Sequence, residues 1–482
     1  MKDIHFELII DKAVKREILI LQMLNMADTP ISTMEMAVKL DVSVKTIISD
    51  LQNIDKALPE GLEIKKKYNL YYLEKNKIGN EGINQFIVEL LFESPLYKII
   101  NALIHGEHVS VQDWAEQLFI SEMSLKRYLA ALKKILMGYN LKLKYTPSIE
   151  IQGSEVECRK FFFDVLHSHN SKFREKEEYD MLYSGLIEYA QSQEMSNVKL
   201  DYQRILSWLF IVEHRMKDNH YIQIPQEVIS AVTDKDSFKI FADSYNRYFK
   251  SVFGSTHLPL DEQVFAYVGI LDTVIYTEHS SFKAINYRRF DQNAETEIEA
   301  FLKPILTLFF DGIPLFYSVF ESYISNILLL DKLTPLFEKN LEEIKEMVCE
   351  NSLYIYKQWL LALENSSLNI VFKEDVATSL TMLTVAFKNA TVSKQYHVAF
   401  VLSGESTYLS YLIALIRLKI PNVKVSFLLN QEPDAAWITE TDVDLFVANF
   451  PMDTTLIEQR VFQLSYTPLE RDWRELREMI IS

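Results

Sequence analysis

The segment Ile31–Leu58 reads ISTMEMAVKLDVSVKTIISDLQNIDKAL, and 78 positions further on Val109–Leu136 reads VSVQDWAEQLFISEMSLKRYLAALKKIL. Laid on one another, Ser32 falls on Ser110, Ala37 on Ala115, Leu40 on Leu118, Val42 on Ile120 and Ser43 on Ser121. Ile47, Leu51, Ile54 and Leu58 then meet Leu125, Leu129, Leu132 and Leu136. With one residue inserted, Leu62 pairs with Leu141, Ile64 with Leu143, Leu70 with Ile149 and Tyr72 with Ile151. Ala37 and Leu40 place a small and a large apolar group on one face of a short helix. Asp41, Val42 and Ser43 supply a turn residue, a buried anchor and an N-cap. Val44, Ile47, Ile48, Leu51, Ile54 and Leu58 continue in three- and four-residue steps, an amphipathic helix of about four turns. LEI and LYYL then alternate around a turn at Lys65–Tyr68, as the two strands of a hairpin do. Helix, turn, second helix and hairpin make a winged helix-turn-helix, a unit that lays its second helix in a DNA major groove. Two copies in register exclude accidental periodicity.

The polar residues fall where such units engage DNA. In the first copy these are Ser43, Lys45, Thr46, Asn53, Lys56 and the run Lys65, Lys66, Lys67. In the second they are Ser121, Ser124, Lys126, Arg127, Lys133, Lys134, Lys142 and Lys144. Lysine and arginine neutralise phosphates, while hydroxyl and amide groups reach base edges or backbone. The second copy departs at one place. Its turn holds Phe119, where a left-handed backbone favours Gly, Asn or Asp, so a differently shaped turn is expected.

Charge separates this region from the rest. The chain has 482 residues and a net charge of −17, yet residues 1–152 carry 19 Lys/Arg and 20 Asp/Glu, against 31 and 47 in the remainder. A nearly neutral binding module thus precedes an acidic body. The length suits about three to five domains. Cys158 and Cys349 are too few for a disulfide framework or a four-thiolate zinc site. The first residues, MKDIHFELIIDKAVKR, lack the features of a signal peptide, and the most apolar stretch, Ile305–Leu330, is broken by Asp311, Pro314 and Glu321. A soluble, reduced, cytoplasmic protein without membrane association is expected.

From Glu155 to Lys388 long amphipathic patterns recur without alternating strands, which predicts two helical bundles meeting near residue 285. His214 and His279, 65 residues apart, each follow a glutamate and close an apolar helical run. A half-exposed imidazole there is chemically able to accept a phosphoryl group, although the helix dipole also favours histidine at such ends. No histidine lies between Ser280 and Tyr396. Near residue 390 the pattern becomes strand (Tyr396–Leu402), helix (Tyr408–Leu418), strand (Val423–Leu429), strand (Asp444–Ala448), strand (Val461–Ser465) and helix (Leu469–Ile481), a small parallel α/β sheet. Its Ser403-Gly404-Glu405-Ser406-Thr407 turn occupies the usual phosphate position but has neither a Walker lysine nor a cysteine. A structural or dimerising role is expected, with Phe400, Tyr408, Tyr411 and Phe446 near the sheet ends.

This layout resembles the Mga/AtxA family of virulence regulators, most specifically through VSVKTIISDLQNI and ISEMSLKRYLAAL. The resemblance implies a mainly α multidomain fold. Residues 1–75 and 76–153 would be winged helix-turn-helix units, 154–284 and 285–389 the helical regulatory domains called PRDs, and 390–482 an EIIB-like α/β domain. It further implies a DNA-binding global transcription regulator, an activator, that pairs as a homodimer and is phosphorylated by phosphotransferase-system phosphocarriers on His214 and His279. No catalytic residue, metal site or cofactor is expected, and the chain is read as a non-enzyme. The alternatives are a PRD-containing RNA-binding antiterminator, disfavoured by the paired winged helices, and a phosphocarrier using the C-terminal domain, disfavoured by Ser403 standing near the expected cysteine.

Overall fold

The computed structural model describes residues 4–27, 29–75, 79–166, 199–234, 236–253, 258–277, 294–310, 317–392, 397–420, 423–434, 437–438, 443–452, 457 and 459–481. The chain divides into two compact units, Met1–Leu383 and Thr384–Ser482. In the first, α1 (Ile4–Leu8) and α2 (Lys12–Met26) are followed by β1 (Ile31–Ser32), α3 (Thr33–Lys39), α4 (Val44–Ala57), β2 (Leu62–Lys67) and β3 (Leu70–Lys75). The strands pair antiparallel in the order β1–β3–β2, with Ile64 opposite Leu73 and Lys66 opposite Tyr71. Hydroxyl caps start the helices. Ser32 Oγ accepts from the Glu35 N–H and Ser43 Oγ from the Thr46 N–H, each at 3.1 Å. The Arg16 guanidinium of α2 grips the buried Asp50 carboxylate of α4, fixing the second helix of the motif against the first layer.

The pattern repeats in α5 (Gly79–Phe92), α6 (Pro95–Ile104), α7 (Val111–Gln117), α8 (Glu122–Met137), β4 (Lys142–Lys144) and β5 (Glu150–Gln152). Ser110 and Ser121 cap α7 and α8 as Ser32 and Ser43 cap α3 and α4. The turns match bond for bond. Val42 N–H donates to Ala37 O and Ile120 N–H to Ala115 O, both at 3.0 Å. Asp41 has φ 51° and Phe119 has φ 54°. The expectation of a differently shaped turn at Phe119 is therefore corrected: the half-buried Leu118 and Ile120 on either side and the shared Ile120-to-Ala115 bond hold a phenylalanine in the left-handed conformation. Helix α1 packs against α5, α8 and α9 (Glu155–Leu166), with the His5 ring Nε2 2.8 Å from the Val165 carbonyl oxygen.

The helical body continues through α10 (Tyr202–Lys217), α11 (Gln226–Thr233), α12 (Asp236–Phe253), α13 (Leu260–Gly269), α14 (Ala294–Phe310), α15 (Tyr317–Asp331), α16 (Glu342–Glu364) and α17 (Lys373–Val392). The fully buried Arg159 of α9 is held by Glu262 of α13 at 2.7 and 2.8 Å, while Phe163 stacks on Trp208 at 4.4 Å. One expectation fails here. Strands β6 (Lys199–Leu200) and β7 (Val274–Ile275) pair antiparallel within this region, and at two residues each they are too short to leave an alternating signal. Among the described residues no helix is long and apolar enough to cross a membrane.

The second unit is an all-parallel sheet of β8 (His397–Leu402), β9 (Lys424–Leu429), β10 (Leu445–Ala448) and β11 (Arg460–Gln463), ordered β11–β10–β8–β9. Every residue of β8 is buried, because both faces are covered. One face packs Val398, Phe400 and Leu402 against Leu412 and Ile416 of α18 (Ser406–Lys419) and Trp473 and Leu476 of α19 (Glu470–Ile481). The other carries Ala399, Val401 and Phe446. Phe400 and Phe446 are thus core residues, which leaves them the structural rather than the dimerising role; Tyr411 is 65% exposed.

Candidate nucleic-acid interface

Helix α8 turns Leu125, Leu129, Leu132 and Leu136 into the core, each fully buried. At 100° per residue, the line directly opposite is Met123, Arg127, Ala130 and Lys134, all exposed. In α4 the buried apolar residues are Ile47, Leu51 and Ile54, and the opposite line is Lys45, Ser49, Gln52 and Lys56, again exposed. These are the faces that a winged helix presents to a major groove. Four residues on these lines, Ser49, Gln52, Met123 and Ala130, were not among the sequence-selected candidates. The signal was present in the helical phase, counted from the buried leucines and isoleucines rather than from polarity.

The chosen candidates divide by what already holds them. Lys45, Lys66, Lys67, Lys133, Lys134 and Lys142 are exposed, with Lys66 over the Tyr71 ring and Lys67 over Tyr68. Arg127 is exposed and lies over Tyr128. Lys65 is engaged by Glu63 and by Glu74, and the hydrogen bond to Glu63 holds its ammonium above the usual lysine range. Lys144 is bound to Glu150 at 2.8 Å, which depresses the Glu150 carboxyl. Lys126 pairs with Glu122 at 3.2 Å on the surface, a weak contact that a phosphate can displace. Ser43 and Thr46 bond one another at 2.8 Å, and Ser121 and Ser124 at 3.0 Å, so these hydroxyls serve the helix caps. Asn53 turns toward Glu17 of α2 at 3.5 Å rather than lying on the outward line.

Within the first compact unit, the loop after α6 meets the end of α10. The ring of His214 lies 4.9 Å from that of His105 and 4.0 Å from Phe210, and its Nδ1–H donates to the Phe210 carbonyl at 2.9 Å. Burial lowers the His214 imidazole below the usual histidine range, and the charge of His105 acts in the same direction. Gly106, with φ 75°, brings the loop so close that a Cβ would stand 3.0 Å from the Asp218 carboxylate. Asp218 also faces His108 at 3.3 Å and His220 at 3.1 Å. His279 lies outside the described residues.

In the second unit the Ser403–Thr407 turn is already filled. Ser403 N–H donates to the Asn449 side chain at 2.8 Å and Gly404 N–H to the Asn430 side chain at 2.9 Å. Tyr408 stacks on Tyr466, whose hydroxyl would stand 3.3 Å from a Cβ at Gly404. Two of the backbone donors that a phosphate would need are spent on asparagine amides. Among the described residues no group of histidines, cysteines and carboxylates is arranged to hold a metal.

Residues 79–166 match the Mga helix-turn-helix domain family, and residues 16–73 match an HTH domain family. The chain is 32% identical over 165 residues to the capsule synthesis positive regulator AcpB of Bacillus anthracis, covering 33% of each protein. It is 19% identical over 283 residues to a protein of Bacillus subtilis (strain 168) named "Probable licABCH operon regulator", covering 54% of this chain and 44% of that one. These matches span from a third to under half of the relatives' own lengths. The second winged unit thus matches the Mga helix-turn-helix domain, with a further helix-turn-helix match in front of it, and over these residues the chain is similar to Mga-type regulators.

Proposed function

We propose that this chain is a DNA-binding transcription regulator that engages duplex DNA through α4 and α8. The observation that carries this reading is the pair of winged units whose outward lines, Lys45-Ser49-Gln52-Lys56 and Met123-Arg127-Ala130-Lys134, combine cations with groups suited to base edges. Two relatives named as regulators support it. The helical body is read as two PRDs and the second compact unit as an EIIB-like domain. Activity is modulated by phosphotransferase-system phosphorylation at His214 and by homodimerisation, and the regulator acts as an activator. His214 suits the acceptor role because burial disfavours its charged form, and its engaged Nδ1 leaves Nε2 for the phosphoryl group.

Salt dependence of duplex binding tests the central claim. Each phosphate contact adds about 0.9 to the slope of log affinity against log salt. Lys126→Ala with Arg127→Ala in the full chain should weaken binding to every duplex and flatten that slope by up to about 2 units. A folded double variant with unchanged affinity and slope removes α8 from the DNA interface.

A further inference from the structure

The turn before α8 holds a feature that phosphate neutralisation leaves unexplained. Phe119 adopts a left-handed backbone, φ 54°, while its side chain is 96% exposed. A bulky residue in that region is strained, and burying its ring would be the ordinary compensation. Here the strain and the exposure coincide. One helical turn further on, Met123 is 82% exposed and heads the outward line that continues through Arg127, Ala130 and Lys134. The equivalent positions in the first winged unit are Asp41 and Lys45, both polar. The two recognition faces therefore differ in kind: one is polar throughout, and the other leads with two apolar side chains, continues to Arg127 and Lys134, and is flanked by Lys126 and Lys133.

We infer that the second recognition helix reads thymine methyl groups in the major groove through Met123, with Phe119 packing at the leading edge of the same contact. This deepens the DNA-binding reading and rests on it. The methyl of thymine is the apolar feature a base pair offers in that groove, and apolar side chains near a recognition helix's N-terminus are its usual partners. The flanking cations make nucleic acid, rather than an apolar protein surface, the complementary occupant. A side chain that gains contact area only when bound accounts for a strained turn that favours an exposed ring over the aspartate found in the first unit.

Replacing every thymine of an A·T-rich duplex by uracil removes the methyls and leaves base pairing intact. The full-length protein should bind the thymine duplex more tightly, by about fourfold for each methyl covered. Met123→Ala and Phe119→Asn should each bring the thymine-to-uracil affinity ratio toward one. Comparing ratios between wild type and variant cancels effects of uracil on DNA shape and on the first winged unit. Phe119→Asn should also raise Tm, because asparagine tolerates the left-handed turn. That gain accompanied by lost methyl discrimination is an opposite pair of effects that a purely structural role does not produce. If the wild type binds DNA with equal affinity for both duplexes, or if the variants keep the wild-type ratio, the inference is overturned and DNA binding itself still stands. Absence of binding to either duplex overturns both.

Discussion

His214 shows how a single side chain gains meaning from its surroundings. The sequence marks it as a histidine closing an apolar helix, a description that fits many histidines without chemical roles. Its position against His105, one turn after Phe210, depends on a contact between segments over a hundred residues apart, which no local pattern encodes. The same holds for Lys65, whose bond to Glu74 follows from hairpin register, whereas the Glu122–Lys126 pair is legible from its four-residue spacing. A phosphoryl group at His214 would add about −1.5 to −2 charges, by analogy with other phosphorylated side chains. That charge would enter where α6 of the second winged unit meets α10. Incubation with phosphotransferase components followed by mass spectrometry should place label on His214 or His279, and none between Ser280 and Tyr396. Label on neither leaves His214 as an ordinary helix-end imidazole.

At the scale of elements, the winged units were readable because their apolar period, their caps and their repeat all agree. Ser32, Ser43, Ser110 and Ser121 cap the helices at the positions that the two segments share. The short connections of the helical body were not readable, because their polar groups are satisfied by distant partners. The turn Pro335–Glu338 is such a case. Its buried Glu338 carboxylate accepts the Val371 and Phe372 N–H groups just before α17 and neighbours Asp331 and Asp375. Burial pushes the Glu338 carboxyl up to about 7, and Asp331 beside it is raised for the same reason. A raised acid binds its proton more tightly in the folded state. Its contribution to stability is therefore complete below the unfolded value and declines as pH rises from about 4.5 to about 7. Denaturant unfolding across that window should show a loss on the order of 1–3 kcal/mol that Glu338→Gln largely abolishes, since the neutral amide mimics the protonated acid. An unchanged pH profile in the variant would assign the titration elsewhere in the Asp331–Glu338 pair.

For the whole molecule, the order of elements was legible, and the long-range packing was not. The change of pattern near residue 390 announced a parallel α/β piece, and the compact division falls close by, between Leu383 and Thr384. Nothing in the sequence announced that α1 would pack against α8 and α9, since a five-residue helix carries too little periodicity to name its partner. Assembly belongs to this scale too, and for the proposed homodimer the C-terminal unit offers an apolar surface. Tyr411, Ala414 and Leu418 follow one another at three- and four-residue steps along α18, all exposed, with Tyr411 at 65% and Leu418 at 74%. Lys419 pairs with Glu470, which brings the start of α19 and the 61% exposed Leu469 beside this stripe. A sheet with both faces already covered leaves such helix surfaces as its remaining apolar area, and a core of about a hundred residues gains by burying more. Two-fold pairing is the commonest outcome for a self-complementary patch, and it doubles the winged units available to one DNA segment through effective concentration. Deleting Tyr396–Ser482 should therefore give a largely monomeric, still helical protein with weaker duplex binding. Tyr411→Glu with Leu418→Glu in the full chain should do the same while keeping the α/β unit folded, because both side chains already face solvent. Light scattering that finds either variant still dimeric, with unchanged affinity for DNA, would move the interface away from α18.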